Sequence, residues 1–318
     1  MLKDSMAADP RGVLILGTGA LATLFASRIA HTGRPVTMLG TWPEGLRALR
    51  EGGARFVNSK GVEERDAVIT TDDPRACQGA ESALVLVKSW QTQRAAQQLA
   101  VCLAADGLAL TLQNGLGNRE ILAAHLGHDR AVLGSTTTGA TLLGPGLAKA
   151  GGEGTVSVEA HPRIGPVVEA LASAGFAVEL VKDAQSLIWS KLVVNSAINP
   201  LTALLRITNG QLLERPSARA LLRALAEETA AVASAEQAKL APGDPAESVE
   251  AVARKTASNH SSMFQDIQRG APTEIDAICG AVTRAGKRHN IPTPINHACW
   301  QLVQALAQTP GQGAAVLA

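Results

Sequence analysis

The stretch that most restricts this chain lies between residues 12 and 33, where the apolar run GVLILG passes without a break into GTGALATLFASRIAHTG. A leucine- and β-branched-rich run, then glycines, then helical periodicity reads as strand, tight turn and amphipathic helix. Gly17, Gly19 and Ala22 hold the spacing G-x-G-x-x-A, with Thr18, Ala20 and Leu21 between them. Gly17 permits the turn, Gly19 lets a diphosphate approach the backbone, and a small side chain at Ala22 lets helix and strand pack closely. The diphosphate of a dinucleotide would rest on the helix N-terminus, where unpaired N–H groups and the positive dipole end favour an anion. A glycine-rich turn in an unrelated α/β fold has the same spacing, so the motif draws its weight from its place between strand and helix.

The pattern that begins there continues. Short apolar runs, GVLILG, PVTMLG, ALVLVK, LALTLQ, AVLGST, TVSVEA and AVELVK, alternate with helical stretches from Arg11 to about Val181. Continuous apolar strands separated by helices imply a parallel sheet covered on both faces. From Ala184 onward helical periodicity dominates, broken at Asn209-Gly210, APGDPAE and IPTP. The expected organisation is therefore an α/β domain with a mostly parallel sheet over residues 1–183 and an all-α domain over 184–318.

Composition excludes several classes. A formal charge of +1 and 3% aromatics without tyrosine leave neither a basic field nor stacking platforms for nucleic acid. Cys77, Cys102, Cys279 and Cys299 show no CxxC spacing, which fits reduced thiols of a cytoplasmic protein, and no His or Cys cluster has metal-ligand spacing. His260, His289 and His297 read as ordinary polar positions. No apolar run approaches the roughly 20 residues needed to cross a bilayer. The opening MLKDSMAADP lacks the apolar core of a signal peptide and is expected to be a frayed tail.

Four further segments carry polar groups where a ligand would need them. Lys88 ends the run LVK and Asn114 ends LQN, and ligands of open α/β sheets bind beyond the carboxyl ends of strands; Asn114-Gly115 is equally an ordinary turn dipeptide. The second strand ends in Gly40-Thr41-Trp42 with no acid, and Arg47 and Arg50 follow. That leans toward a 2′-phosphorylated cofactor, although both arginines also suit a solvated helix face. In KLVVNSAINP, Lys191, Asn195 and Asn199 fall at i, i+4 and i+8 and form one polar stripe on an otherwise apolar helix. A lysine in a partly desolvated cleft has its pKa lowered toward neutrality and can give a proton to an alkoxide formed by hydride addition to a ketone. A surface lysine and a helix-ending asparagine before Pro200 are the plain alternative.

Together these residues identify a resemblance. GTGALA, VKSWQ, LQNGLGN, TTTGA, WSKLVVNSAINPLTALLRITNG and SSMFQDIQRGAPTEIDAICG resemble the ketopantoate reductases (2-dehydropantoate 2-reductases) over nearly the whole chain. The resemblance implies a Rossmann-type N-terminal domain binding NADP and a helical domain that closes over the nicotinamide. It makes Lys191 the proton donor in reduction of 2-dehydropantoate to (R)-pantoate, in pantothenate and coenzyme A synthesis. Asn195, Asn199 and Asn209 would line the substrate site, with Asn259 and Ser262 in the segment that holds the substrate carboxylate. Glu274, within Thr273–Asp276, would bind a substrate hydroxyl or order the site. Lys88, Asn114 and Ala140 fall where the family contacts its cofactor or the reacting end of the substrate. The family often carries Arg at the tip of the second strand, where this chain has Gly40-Thr41. The missing arginine keeps open a sister 2-keto acid reductase or D-2-hydroxyacid dehydrogenase using NADH. A dinucleotide sensor without chemistry is the more distant alternative, and loss of Lys191, Ser262 or Glu274 would have favoured it. Ala-rich helices between Ser217 and Leu240 offer a possible homodimer face.

Overall fold

The computed structural model describes residues 12–308; the stretch expected to be a frayed tail lies outside them. Contacts divide the described residues into two compact units, one formed by 12–113 with 118–184, the other by 114–117 with 185–308.

The first unit is built on an eight-stranded sheet. Its strands are β1 (Val13–Leu16), β2 (Val36–Leu39), β5 (Ile69–Thr71), β6 (Ala80–Val85), β7 (Leu103–Thr111), β8 (Ala131–Thr136), β11 (Thr155–Glu159) and β12 (Ala177–Val181), in the order β12-β11-β8-β7-β6-β1-β2-β5. All neighbours are parallel except β8 and β11. Alternation along β1 shows why its sequence is continuously apolar: Val13 and Ile15 enter one core, Leu14 and Leu16 the other. The seven runs expected to be strands all belong to this sheet.

A second sheet was not anticipated. β3 (Ala54–Val57), β4 (Glu63–Asp66), β9 (Gly139–Gly144) and β10 (Leu147–Gly152) pair in the order β4-β3-β10-β9. β3 alternates the buried Ala54 and Phe56 with half-exposed Arg55 and Val57, and the other three are polar, glycine-rich or half exposed, so no continuous apolar run marks them. Helix α1 (Ala20–His31) packs against this second sheet as well as the first. That contact corrects the expectation of an amphipathic helix, because Ala22, Thr23, Leu24, Phe25, Ala26, Ser27 and Ile29 are all buried. Helices α2 (Pro43–Gly52), α3 (Thr92–Cys102), α4 (Asn118–Leu126) and α5 (Gly165–Ser173) complete the unit.

The second unit is helical. It comprises α6 (Ala184–Leu205), α7 (Pro216–Ala235), α8 (Pro245–Lys255), α9 (Ser262–Gln268), α10 (Cys279–Arg288) and α11 (Pro294–Gln308) around one core that includes Trp189, Leu192, Ile198, Leu222, Val249, Phe264 and Val303. Within α6, Pro200 cannot donate to the Ser196 carbonyl. The Cys279 thiol supplies a donor to that oxygen at 3.7 Å, so the orphaned carbonyl is satisfied inside the core. All four cysteines are free and buried. Among the described residues no helix is long and apolar enough to cross a membrane, and no cluster of His, Cys, Asp or Glu could hold a metal ion.

Candidate active site

In the first unit the glycine turn has the shape that a diphosphate needs. Gly17 sits at φ +125°, and a Cβ there would lie 3.1 Å from the Leu86 carbonyl, so neither its conformation nor its space admits a side chain. Beside Gly19 there is open space: a Cβ would meet nothing within 4 Å. Gly19 is also the N-cap of α1 and offers no side-chain cap, and the first turn of α1 holds no acid. The first-turn N–H groups and the positive helix end are thus left for an anion. Ala22 is fully buried, as close helix–strand packing requires. Thr18, Ala20 and Leu21 fill the turn between them, and the residues present fit a dinucleotide.

Lys88 lies three residues beyond the carboxyl end of β6 and is partly buried. The chain leading to it is fixed by a group that motif reading missed. Gln113 Nε2 donates to the Val87 carbonyl at 2.9 Å and to the Thr92 hydroxyl at 2.8 Å, while its Oε1 accepts from Thr111 at 2.9 Å. A glutamine buried at the end of the apolar run LALTLQ was the signal available for it. Ala140 is the second residue of β9, packed against the core that contains α1.

The second unit holds the polar side chains expected to line a substrate. Gly115, at φ +81°, leaves so little space that a Cβ would lie 2.3 Å from the Ala277 carbonyl, and Leu116 N–H donates to that same oxygen at 2.9 Å. The turn 114–117 is thereby fastened to the turn after Thr273. As a result Asn114 Nδ2 donates to Glu274 Oε2 at 3.1 Å, although 160 residues separate them in sequence. Glu274 is 5% exposed and lies in a turn, not on a helix surface.

Lys191 lies near enough to Glu274 to feel its charge. Burial pushes the lysine pKa down from 10.5 to about 8, with the Glu274 carboxylate acting in the opposite direction. Lys191 keeps partial solvent access, and Asn195 and the buried Asn199 continue its stripe along α6. Lys191, Glu274 and Asn114 therefore form one polar cluster beside the apolar core of the unit.

Asn209 and Asn259 meet through the backbone, Asn209 N–H donating to the Asn259 carbonyl at 3.0 Å, while Asn209 Nδ2 donates to Thr256 Oγ1 at 2.9 Å. Asn209 is buried and pins the 256–259 loop, whereas Asn259 is exposed. Ser262, also exposed, opens α9; its neighbour Ser261 caps that helix and accepts a 2.7 Å hydrogen bond from Thr202, three residues past Asn199. The serine loop is so tied to the helix that carries Lys191.

A parallel-sheet unit with a diphosphate-shaped turn, and a helical unit with a lysine of lowered pKa beside an amide and a carboxylate, define the class as an oxidoreductase. The family described as "Ketopantoate reductase PanE/ApbA" matches residues 13–163, and "Ketopantoate reductase PanE/ApbA C terminal" matches residues 183–307. The 2-dehydropantoate 2-reductase of Archaeoglobus fulgidus is 37% identical over 300 residues, covering 92% of this chain and 97% of the relative. A crystal structure of a PanE/ApbA family ketopantoate reductase from Ralstonia eutropha JMP134 is 31% identical with a TM-score of 0.87, covering 93% of this chain and 98% of the other. The ternary structure of D-mandelate dehydrogenase with NADH and anilino(oxo)acetate is 25% identical with a TM-score of 0.85, at the same coverage. The chain belongs to the ketopantoate reductase family.

Proposed function

We propose that this chain reduces 2-dehydropantoate to (R)-pantoate with NADPH, the step that supplies pantoate for pantothenate and coenzyme A synthesis, and that Lys191 is its general acid. The observation that carries the reading is the cluster of Lys191, Glu274 and Asn114, with the lysine held at a pKa of about 8. A reduced nicotinamide supplies the hydride that adds to the C2 carbonyl carbon.

The residues of the chain do the rest. Lys191 is mostly protonated at pH 7, so its ammonium stabilises negative charge growing on the carbonyl oxygen and then gives that oxygen a proton. The base left behind is a neutral amine that recovers its proton from solvent. Glu274 keeps the lysine from losing its charge too readily, and accepts a hydrogen bond from a substrate hydroxyl. Asn114, Asn195 and Asn199 orient the substrate as neutral donors and acceptors that do not quench the ammonium. Ser262 donates to the substrate carboxylate, while Asn209 and Asn259 hold the loop that presents it. In the first unit, Gly17 to Ala22 receive the diphosphate, and Lys88 and Ala140 line the cofactor beyond the strand ends.

A second reading is favoured by the likeness to D-mandelate dehydrogenase and by the absence of Arg at the tip of β2: reduction of another branched or aromatic 2-keto acid with NADH. Following loss of absorbance at 340 nm with NADPH and NADH against 2-dehydropantoate, benzoylformate and several branched 2-keto acids separates the two. Oxidation of NADPH selective for 2-dehydropantoate is the expected result. A better kcat/KM for benzoylformate with NADH would replace the first reading by the second.

A further inference from the structure

The tip of β2 is where the adenosine ribose of a bound dinucleotide lies, and a 2′-phosphate there calls for a cation. The tip supplies none of its own. Gly40 cannot carry a side chain in place, because a Cβ there would lie 2.6 Å from the Thr18 methyl inside the glycine turn. Thr41 follows, and then Trp42, which N-caps α2 and whose indole lies over Gly45 at 2.4 Å from where a Cβ would be. The arginines of α2, Arg47 and Arg50, are exposed on the helix surface.

A cation reaches the tip from a different element. Arg94, in the first turn of α3, donates from Nη1 to Thr41 Oγ1 at 2.9 Å. Thr41 and Arg94 are 53 residues apart and both exposed, so the guanidinium is steered to this spot while its face stays open to water. Among the described residues Arg94 makes no other hydrogen bond and no ion pair, which leaves most of its five N–H donors for a ligand. Its helix gains nothing from it, since a positive charge in a first turn opposes the dipole. Two exposed acids, Asp72 and Asp73, follow the neighbouring strand β5, and the Asp73 carboxylate accepts from the Arg75 N–H.

We propose that Arg94 reads the 2′-phosphate of the cofactor, doing from α3 what an arginine at the tip of β2 would do, with Thr41 holding its guanidinium in place. The inference rests on the reductase reading and supplies the cofactor preference that the tip of β2 lacks. A planar guanidinium held on one edge can take a phosphate on the other by two parallel hydrogen bonds.

The test is calorimetric titration of the whole chain and of its R94Q and R94K variants with NADPH, NADH, and the fragments 2′-phospho-ADP-ribose and ADP-ribose. One charge-assisted contact predicts that R94Q weakens NADPH and the phosphorylated fragment by about 10- to 100-fold. NADH and ADP-ribose should stay within about 2-fold, and R94K should recover part of the loss. Equal weakening of all four ligands, or no change in any, would overturn the assignment. A parent chain that binds neither dinucleotide would sink the reductase reading and the assignment together. A parent chain that binds NADH while R94Q leaves every affinity unchanged would sink the assignment alone.

Discussion

At Lys191 two influences act in opposite senses. Burial lowers its pKa and the Glu274 carboxylate raises it, leaving it at about 8. Because the protonated amine is the active form, kcat/KM should be level at neutral pH and fall as pH rises through about 8. Glu274→Gln removes the charge that supports the ammonium, so its alkaline limb should move to lower pH, whatever else the substitution does to substrate affinity. A pH profile of kcat/KM for both proteins checks this, and an unmoved limb in the variant would separate Glu274 from the lysine. How much of this was legible differs by residue. The stripe of Lys191, Asn195 and Asn199 could be read from spacing alone, because helical periodicity is local. The bond between Asn114 and Glu274 could not, since it depends on Gly115 meeting Ala277 from the far side of the sequence. Gln113 and Arg94 escaped for the same reason: each acts through a partner that no short motif contains.

Among the elements, α7 and α8 are joined by a charge cluster on the second unit. Glu250 is 2% exposed and receives Arg219 by two hydrogen bonds of 2.7 Å, with Arg223 at 3.1 Å and Arg254 at 3.2 Å. The hydrogen bonds from Arg219 come first among the causes that hold its carboxyl at about 2, against the usual 4.5. Between those two values the unfolded chain binds a proton that the folded one does not, so the stability this group contributes is present above pH 4.5 and is lost as pH falls toward 2. Glu250→Ala should cost about 1–3 kcal/mol at pH 7 and flatten the acid limb, as urea denaturation from pH 7 to pH 3 would reveal. An unaltered midpoint would mean the arginines do as well in water. The central strands of the large sheet were plain in the sequence because both faces are buried, whereas the edge strand β5, three residues long and half exposed, was not among the expected runs. The small sheet was hidden because most of its positions are half exposed and carry polar or glycine residues, so their composition matches that of loops.

For the molecule as a whole, the order of elements was the most readable property. Alternation of apolar runs and helices, then helices alone, is a consequence of burying a parallel sheet on two faces and of closing a separate helical core. The membership of residues 114–117 in the helical unit was not readable, since it is decided by backbone contacts at Gly115 and Leu116. That small crossing of the chain delivers an amide to the lysine cluster, and the proposed chemistry depends on the cluster acting as a proton source. The most direct measurement is single-turnover oxidation of NADPH by 2-dehydropantoate in the parent chain and in Lys191→Ala, with NADPH affinity titrated in both. The account predicts a loss of about 100- to 10,000-fold in rate with NADPH affinity unchanged. A variant that keeps most of the parent rate would contradict it.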